Sequence, residues 1–132
     1  MSKVLVPLAE GFEELEAVSV IDILRRAQIE VTVAGLKDGP VRGSRQTVIV
    51  PDATLDAALS GSYDMVVLPG GIPGADHLQA DARIRKLLAD MNEQGKNTAA
   101  ICAAPKVLAD VGVLKGRKAT SYPGVLGSLK PE

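Results

Sequence analysis

One cysteine, Cys102, and one histidine, His77, stand in the whole chain, so thiol chemistry has a single place to start. Cys102 lies in Ala99-Ala100-Ile101-Cys102-Ala103-Ala104-Pro105, where an apolar strand runs into the cysteine and small residues then open a helix. Small neighbours permit a tight turn. Such a turn lifts its apex side chain out of the sheet and aims the first free amides of the helix at the same spot, as in a nucleophile elbow. Helix dipole and amides both favour a thiolate and lower its pKa. By residue type alone a cysteine is more often a small buried hydrophobe. The position between strand and helix reverses that weighting.

Glu16 is the second candidate. On a helical wheel it falls on the stripe of Phe12, Val20, Ile23 and Ala27, away from Glu14 and Arg25. Burial there favours the protonated acid, which can donate a hydrogen bond to an adjacent thiolate. The plainer reading puts Glu16 at the margin of the stripe near a helix start. Leu15, Val18 and Ile21 lie elsewhere on the wheel, which suits a helix packed on more than one side, as at a subunit interface. Gly70-Gly71 follows an apolar run, and glycine lets backbone amides approach a bound oxyanion. Alone the pair is an ordinary turn; it gains meaning by converging with Cys102 on one sheet edge. His77 is placed in a loop with Ile72-Pro73-Gly74-Ala75-Asp76 and is set aside as a surface histidine.

These residues need a scaffold, and apolar runs alternating with helical patterns supply one. A strand over 4–9 is followed by Gly11, then by a helix over 13–27 with acidic residues in its first turn and Arg25 and Arg26 in its last. A strand over 30–34, a strand pair around Val41 and 47–50 that reads as an inserted hairpin, and a short helix over 55–58 come next. The fully apolar Met65-Val66-Val67-Leu68 suits a central parallel strand opening into Pro69-Gly70-Gly71. A helix over 82–91, a strand over 98–101, a helix over 106–110 and a last short strand over 118–121 complete the pattern. This alternation predicts an α/β fold whose mainly parallel sheet is covered on both faces, with sites outside the carboxyl ends of its strands.

With 132 residues, the chain has the length of one domain with one core. Hydrophobic residues make up 46% and charged residues 23%, as in an ordinary globular protein, and no apolar run approaches a membrane span. Met1-Ser2-Lys3 leads at once into Val4-Leu5-Val6-Pro7-Leu8, too short a run for a secretory signal, so a cytoplasmic location is expected. A net charge of −1 without basic or acidic runs gives no footprint for nucleic acid or anionic lipid. One cysteine with one histidine excludes an internal disulfide and a structural zinc site, so no metal is expected. Gly11 stands alone after the first strand, so a phosphate-cradling loop for flavin or nucleotide is poorly supported.

Four motifs in this order, Glu13-Glu14-Leu15-Glu16, Gly43-Ser44-Arg45, Leu68-Pro69-Gly70-Gly71 and Ala100-Ile101-Cys102-Ala103-Ala104-Pro105, resemble the ThiJ/PfpI family. The branch is that of the parkinsonism-associated deglycase and the bacterial YajL-type proteins, and the resemblance runs from Lys3 to about Pro131. It implies a flavodoxin-like three-layer sandwich, a homodimer and no cofactor, with Cys102 as nucleophile and Glu16 as the acid that hydrogen-bonds it. By the same resemblance Gly70, Gly71 and the amides of Cys102 and Ala103 line an oxyanion pocket. Arg45, and Arg26 from a partner subunit, make that pocket electropositive, which suits an anionic or carbonyl ligand. The implied role is stress protection by glyoxalase or deglycase chemistry on reactive dicarbonyls and early glycation adducts. The alternative is a redox sensor or chaperone-like protein in which Cys102 is oxidised to sulfinic acid.

Two departures from the family pattern matter. Tyr122, in Thr120-Ser121-Tyr122-Pro123, stands where several members carry a histidine, so Cys-Glu rather than Cys-His chemistry is expected, as in YajL-type members. Relatives also continue past the position of Glu132 through a further strand and covering helices. The expectation is a single domain over 1–132 whose remainder is a separate cleaved chain or is truncated. The expected mechanism is addition of the Cys102 thiolate to the aldehyde of a small dicarbonyl, with the oxyanion met by backbone amides and protons moved by Glu16.

Overall fold

The structure, a computed structural model, describes residues 2–127. Its elements run β1 (Lys3–Leu8), α1 (Glu14–Arg26), β2 (Glu30–Gly35), β3 (Val41–Arg42), β4 (Val48–Ile49), β5 (Ala53–Thr54), α2 (Leu55–Ala58), β6 (Met65–Leu68), α3 (Gly74–Ala80), α4 (Ala82–Glu93), β7 (Asn97–Ala100) and α5 (Pro105–Asp110). Five strands form one parallel sheet in the order β5-β2-β1-β6-β7, while β3 and β4 make the antiparallel hairpin. β1 is central, pairing Leu5 with Thr32 on one side and with Val66 on the other.

Alternation along the strands sorts side chains into two cores, as the period of two requires. Val4, Val6 and Leu8 join Val31, Val33 and Val67 beneath Ala17 of α1 and Val41 of the hairpin. Leu5, Ala34, Val66 and Leu68 face the other way, against Leu55 of α2, Leu78 of α3, Ile84 and Leu88 of α4, and Val107 of α5. Burial on both faces is why these strands read as continuous apolar runs. The result is the flavodoxin-like sandwich, a parallel sheet with helices on both sides.

Three local expectations are corrected. The core-facing side of α1 runs through Ala17, Val20, Ile21 and Leu24, whereas Ile23 is 63% exposed, so the expected stripe through Ile23 and Ala27 is not the buried one. His77 belongs to α3 and not to a loop, because Gly74–Ala80 is helical once Pro73 has ended the glycine turn. Residues 118–121 form no strand. Lys118, Ala119 and Thr120 are exposed and pair with no strand, and β7 is the last strand of the sheet among the described residues. β5 went unread because two residues, Ala53 and Thr54, carry no periodicity; pairing with Ala34 and Gly35 makes them a strand. Among the described residues no helix is long and apolar enough to cross a membrane, and no cluster of potential metal ligands occurs.

Candidate active site

Cys102 follows β7 with φ at +62°, a left-handed backbone that a residue with a Cβ rarely adopts. Such a conformation costs about 1–3 kcal/mol and persists only where its surroundings impose it. The imposing bonds are visible. The Ile101 amide continues the ladder to the Leu68 carbonyl at 3.2 Å, the Ala104 amide closes a turn on the Ile101 carbonyl at 3.0 Å, and the Tyr122 amide holds the Cys102 carbonyl at 2.7 Å. The thiol is thereby lifted off the sheet edge and left partly accessible.

Glu16 arrives from α1. That helix starts at Glu13, whose carboxylate caps it by accepting the Glu16 amide at 2.9 Å. The Glu13 amide donates to the Gly70 carbonyl, and the Gly70 amide donates to Glu16 Oε1, each at 2.9 Å. The start of α1 and the loop after β6 are thus stitched together in both directions. A Cβ on Gly70 would lie 2.6 Å from Glu16 Oε1 and 2.8 Å from the Cys102 Cβ. Only glycine fits, and its bareness is what lets the carboxylate and the cysteine meet across it. The meeting point lies at the carboxyl ends of β1, β6 and β7, where connections leave the sheet in opposite directions, the switch point of a doubly wound fold.

The electrostatics differ from the expectation of a lowered thiol pKa. Burial pushes the Cys102 thiol up, and the Glu16 carboxylate adds to this by its charge and by accepting the thiol's hydrogen bond. The Ala103 amide pulls the other way, the charge of Glu13 raises it further, and the net direction is upward. The thiol therefore holds its proton more tightly than a free cysteine does.

The other sequence-predicted residues divide. Ala103 is buried beside the thiol with its amide on the sulfur. Gly71 turns its Cα towards the Glu13 amide and the Gly11 carbonyl, 2.5 and 2.6 Å from where a Cβ would be, so that side of it packs on the β1–α1 loop. The Gly70 amide is already taken by Glu16. Arg26 sits at the far end of α1, paired with Asp22 at 2.9 Å. Arg45 is exposed in the hairpin loop.

Sequence reasoning missed what holds that loop. The Glu14 carboxylate accepts the Ser44 hydroxyl at 3.2 Å, the Arg45 amide at 2.9 Å and the Thr47 amide at 3.1 Å. A Cβ on Gly43 would be 2.6 Å from Glu14 Cδ. Desolvation pushes Glu14 up, but the amides of Thr47, Glu14 itself and Arg45, with the Ser44 hydroxyl, outweigh it and hold the carboxyl below its usual range. Two of the four motifs are therefore one structural unit. The spacing of Glu13 and Glu16, three apart as in a capping box, was the available signal for the helix start. Lys106 of α5 also pairs with Asp76 of α3, tying together the helices that follow the cysteine and glycine loops. A separate cleft of about 270 Å³ is lined by Glu10, Lys37, His77, Asp81 and Arg83, among others, and by none of Cys102, Glu16 or Gly70.

Comparison with known proteins places these features. The sequence model of the DJ-1/PfpI family matches residues 2–132. The chain is 47% identical to protein dj-1beta of Drosophila melanogaster over 134 residues, covering 100% of this chain and 70% of that one. It is 33% identical to Deglycase PH1704 of Pyrococcus horikoshii, covering 93% and 74%. Among solved structures, oxidized Toxoplasma gondii DJ-1 superposes with a TM-score of 0.90 at 46% identity, covering 93% and 68%. The chain spans from 30% to 74% of the length of the relatives it matches.

Proposed function

Because this chain belongs to the DJ-1/PfpI family, we propose that it is a stress-protection enzyme of deglycase or glyoxalase type, acting on small reactive carbonyls through Cys102 with Glu16 as its proton partner. The observation that carries this reading is the meeting of Glu16 and Cys102 across Gly70. A strained elbow presents the sulfur, and the carboxylate that accepts the thiol's hydrogen bond is placed to take its proton as the sulfur adds to a carbonyl. The relative named as a deglycase supports the same reaction class.

The steps follow from the pair. Glu16 takes the thiol proton as sulfur adds to the aldehyde carbon; the C–S bond forms, the carbonyl π pair moves to oxygen, and the same proton then neutralises the oxyanion. With an adjacent ketone, Glu16 moves a proton from the hemithioacetal carbon to its neighbour while the hemithioacetal hydroxyl proton passes to the ketone oxygen, giving an α-hydroxy thioester that water hydrolyses to a hydroxy acid and free thiol. One water is consumed, and the electrons balance between the two carbons without a cofactor. Ala103 supplies an amide on the reacting side. The apolar side chains Leu15, Val18 and Ile23 of α1 and Val48 and Val50 near the hairpin, all exposed, favour a homodimer.

Steady-state turnover of methylglyoxal tests the reading. Cys102→Ser should abolish it, and Glu16→Gln should lower kcat on the order of a hundredfold, the scale of a lost general base. Turnover unaffected by either change would refute the assignment. The oxidised form of the Toxoplasma relative favours a second reading, in which Cys102 is a redox sensor converted to sulfinic acid. Mild peroxide would then add two oxygens at Cys102 in a protein that turns over no carbonyl.

A further inference from the structure

The cleft lined by Glu10, Lys37, His77 and Arg83 opens at the carboxyl ends of β1 and β2, the end of a doubly wound sheet at which ligands bind. Its floor is apolar: Leu8 closes β1, Leu36 follows β2 and Val41 begins β3. Arg83 braces one wall. Its guanidinium donates to the Leu36 carbonyl at 2.9 Å and pairs with Asp81 at 2.7 Å and with Asp56 at 2.9 Å. The Leu36 amide donates to the Leu8 carbonyl at 3.2 Å, so the segments that follow β1 and β2 are fixed to each other.

The other charges on the rim are free. Lys37, Asp38 and His77 are exposed, and none of their side chains makes a hydrogen bond or ion pair among the described residues. Glu10 engages one carboxylate oxygen, on the Arg42 amide at 3.2 Å, and keeps the other. Charges of both signs therefore stand uncommitted above one apolar floor. A volume of about 270 Å³ lies at the small end for a ligand site, which limits the occupant to a small molecule.

We propose that this cleft binds a small zwitterion of the α-amino-acid class, with its carboxylate on Lys37 and His77, its ammonium on Glu10 and its apolar side chain over Leu8 and Val41. A ligand that is only anionic leaves Glu10 and Asp38 unanswered, and one that is only cationic leaves Lys37 so; a molecule carrying both charges satisfies the rim. The proposal is independent of the chemistry of Cys102, which lines no part of the cleft.

L-Leucine is the probe, titrated into the full chain while the His77 imidazole is followed by NMR, its signal assigned by its loss in His77→Gln. The shift should saturate. Leucinamide, which lacks the carboxylate, and N-acetyl-leucine, which lacks the ammonium, should each bind about tenfold or more weakly, the scale of one lost charged contact. Lys37→Met, and Glu10→Gln, which still accepts the Arg42 amide, should weaken leucine binding by a similar factor and leave Cys102 alkylation unchanged. No saturation by the solubility limit of leucine, equal affinity for the three compounds, or unchanged affinity in both variants would each overturn the proposal. Leucine that slows Cys102 alkylation while His77 stays unmoved would place the ligand elsewhere and overturn it as well.

Discussion

On the side of the sheet covered by α2, α3, α4 and α5, Leu5, Leu55, Leu68, Leu78, Ile84 and Leu88 are all between 0% and 1% exposed. On the side covered by α1, the helix buries Ala17 but turns Leu15 and Ile23 outward, 77% and 63% exposed. The first face is closed by packed hydrocarbon. The second has its own core of Val4, Val6, Leu8, Phe12 and Val33, and is fastened in addition by polar bonds at its ends: Glu14 on the hairpin loop, and Arg25 on Asp52 at 2.8 Å, with Asp52 also accepting the Val33 amide at 2.8 Å. The difference separates two tasks. Both faces are packed, but the α1 face also delivers Glu16 to the site and leaves large apolar side chains exposed.

Breaking the closed face should have the largest effect on folding. Leu88→Ala should cost about 2–5 kcal/mol in urea unfolding, the range for a large-to-small change in a packed core. If its effect matched that of an exposed position on α1, the contrast between faces would be wrong. Gly70→Ala comes next and acts on chemistry more than on folding. Its methyl would enter the space between Glu16 and Cys102, and methylglyoxal turnover should slow on the order of a hundredfold, as misplacement by about 1 Å commonly does.

Glu14 sharpens the comparison by a pH effect. A carboxyl held below its usual value contributes stability above the ordinary pKa of 4.5 and loses it as pH falls through the lower folded value. Hydrogen-exchange protection of the Arg45 and Thr47 amides should therefore collapse in that acid window in the native protein. In Glu14→Gln it should already be weak at neutral pH and show no further acid step. The smallest effects belong to the outer side of α1. Leu15→Ser and Ile23→Ser should change stability of the monomer by about 0.5 kcal/mol or less. Sedimentation should nevertheless show weaker self-association, and unchanged association would sever that surface from the proposed dimer.

Much of this was legible in the sequence where physical signals were strong. The runs at Val4, Val31 and Met65 announced buried parallel strands because apolar residues are needed on both of their faces. Cys102 stood out because an apolar strand ended in small residues. Less legible were features that depend on distant partners. Ala53 and Thr54 become a strand only beside β2, whereas Lys118 to Ser121 pair with no strand. Glu14 read as an outward charge, yet it is the anchor of a loop thirty or so residues away, which no helical wheel can reveal. The thiol's electrostatics were misjudged for the same reason, since burial in the folded chain, and then the carboxylate that α1 brings, decide them.

The coupling of Cys102 to Glu16 is tested most directly by the pH dependence of iodoacetamide alkylation in the native protein and in Glu16→Gln. Burial and the neighbouring carboxylate delay loss of the thiol proton, so the native rate should rise only above the ordinary thiol pKa of about 8.5. Glu16→Gln, which removes the charge, should move that rise to lower pH. The same midpoint in both proteins would contradict the account, leaving the cysteine and the glutamate as neighbours without shared chemistry.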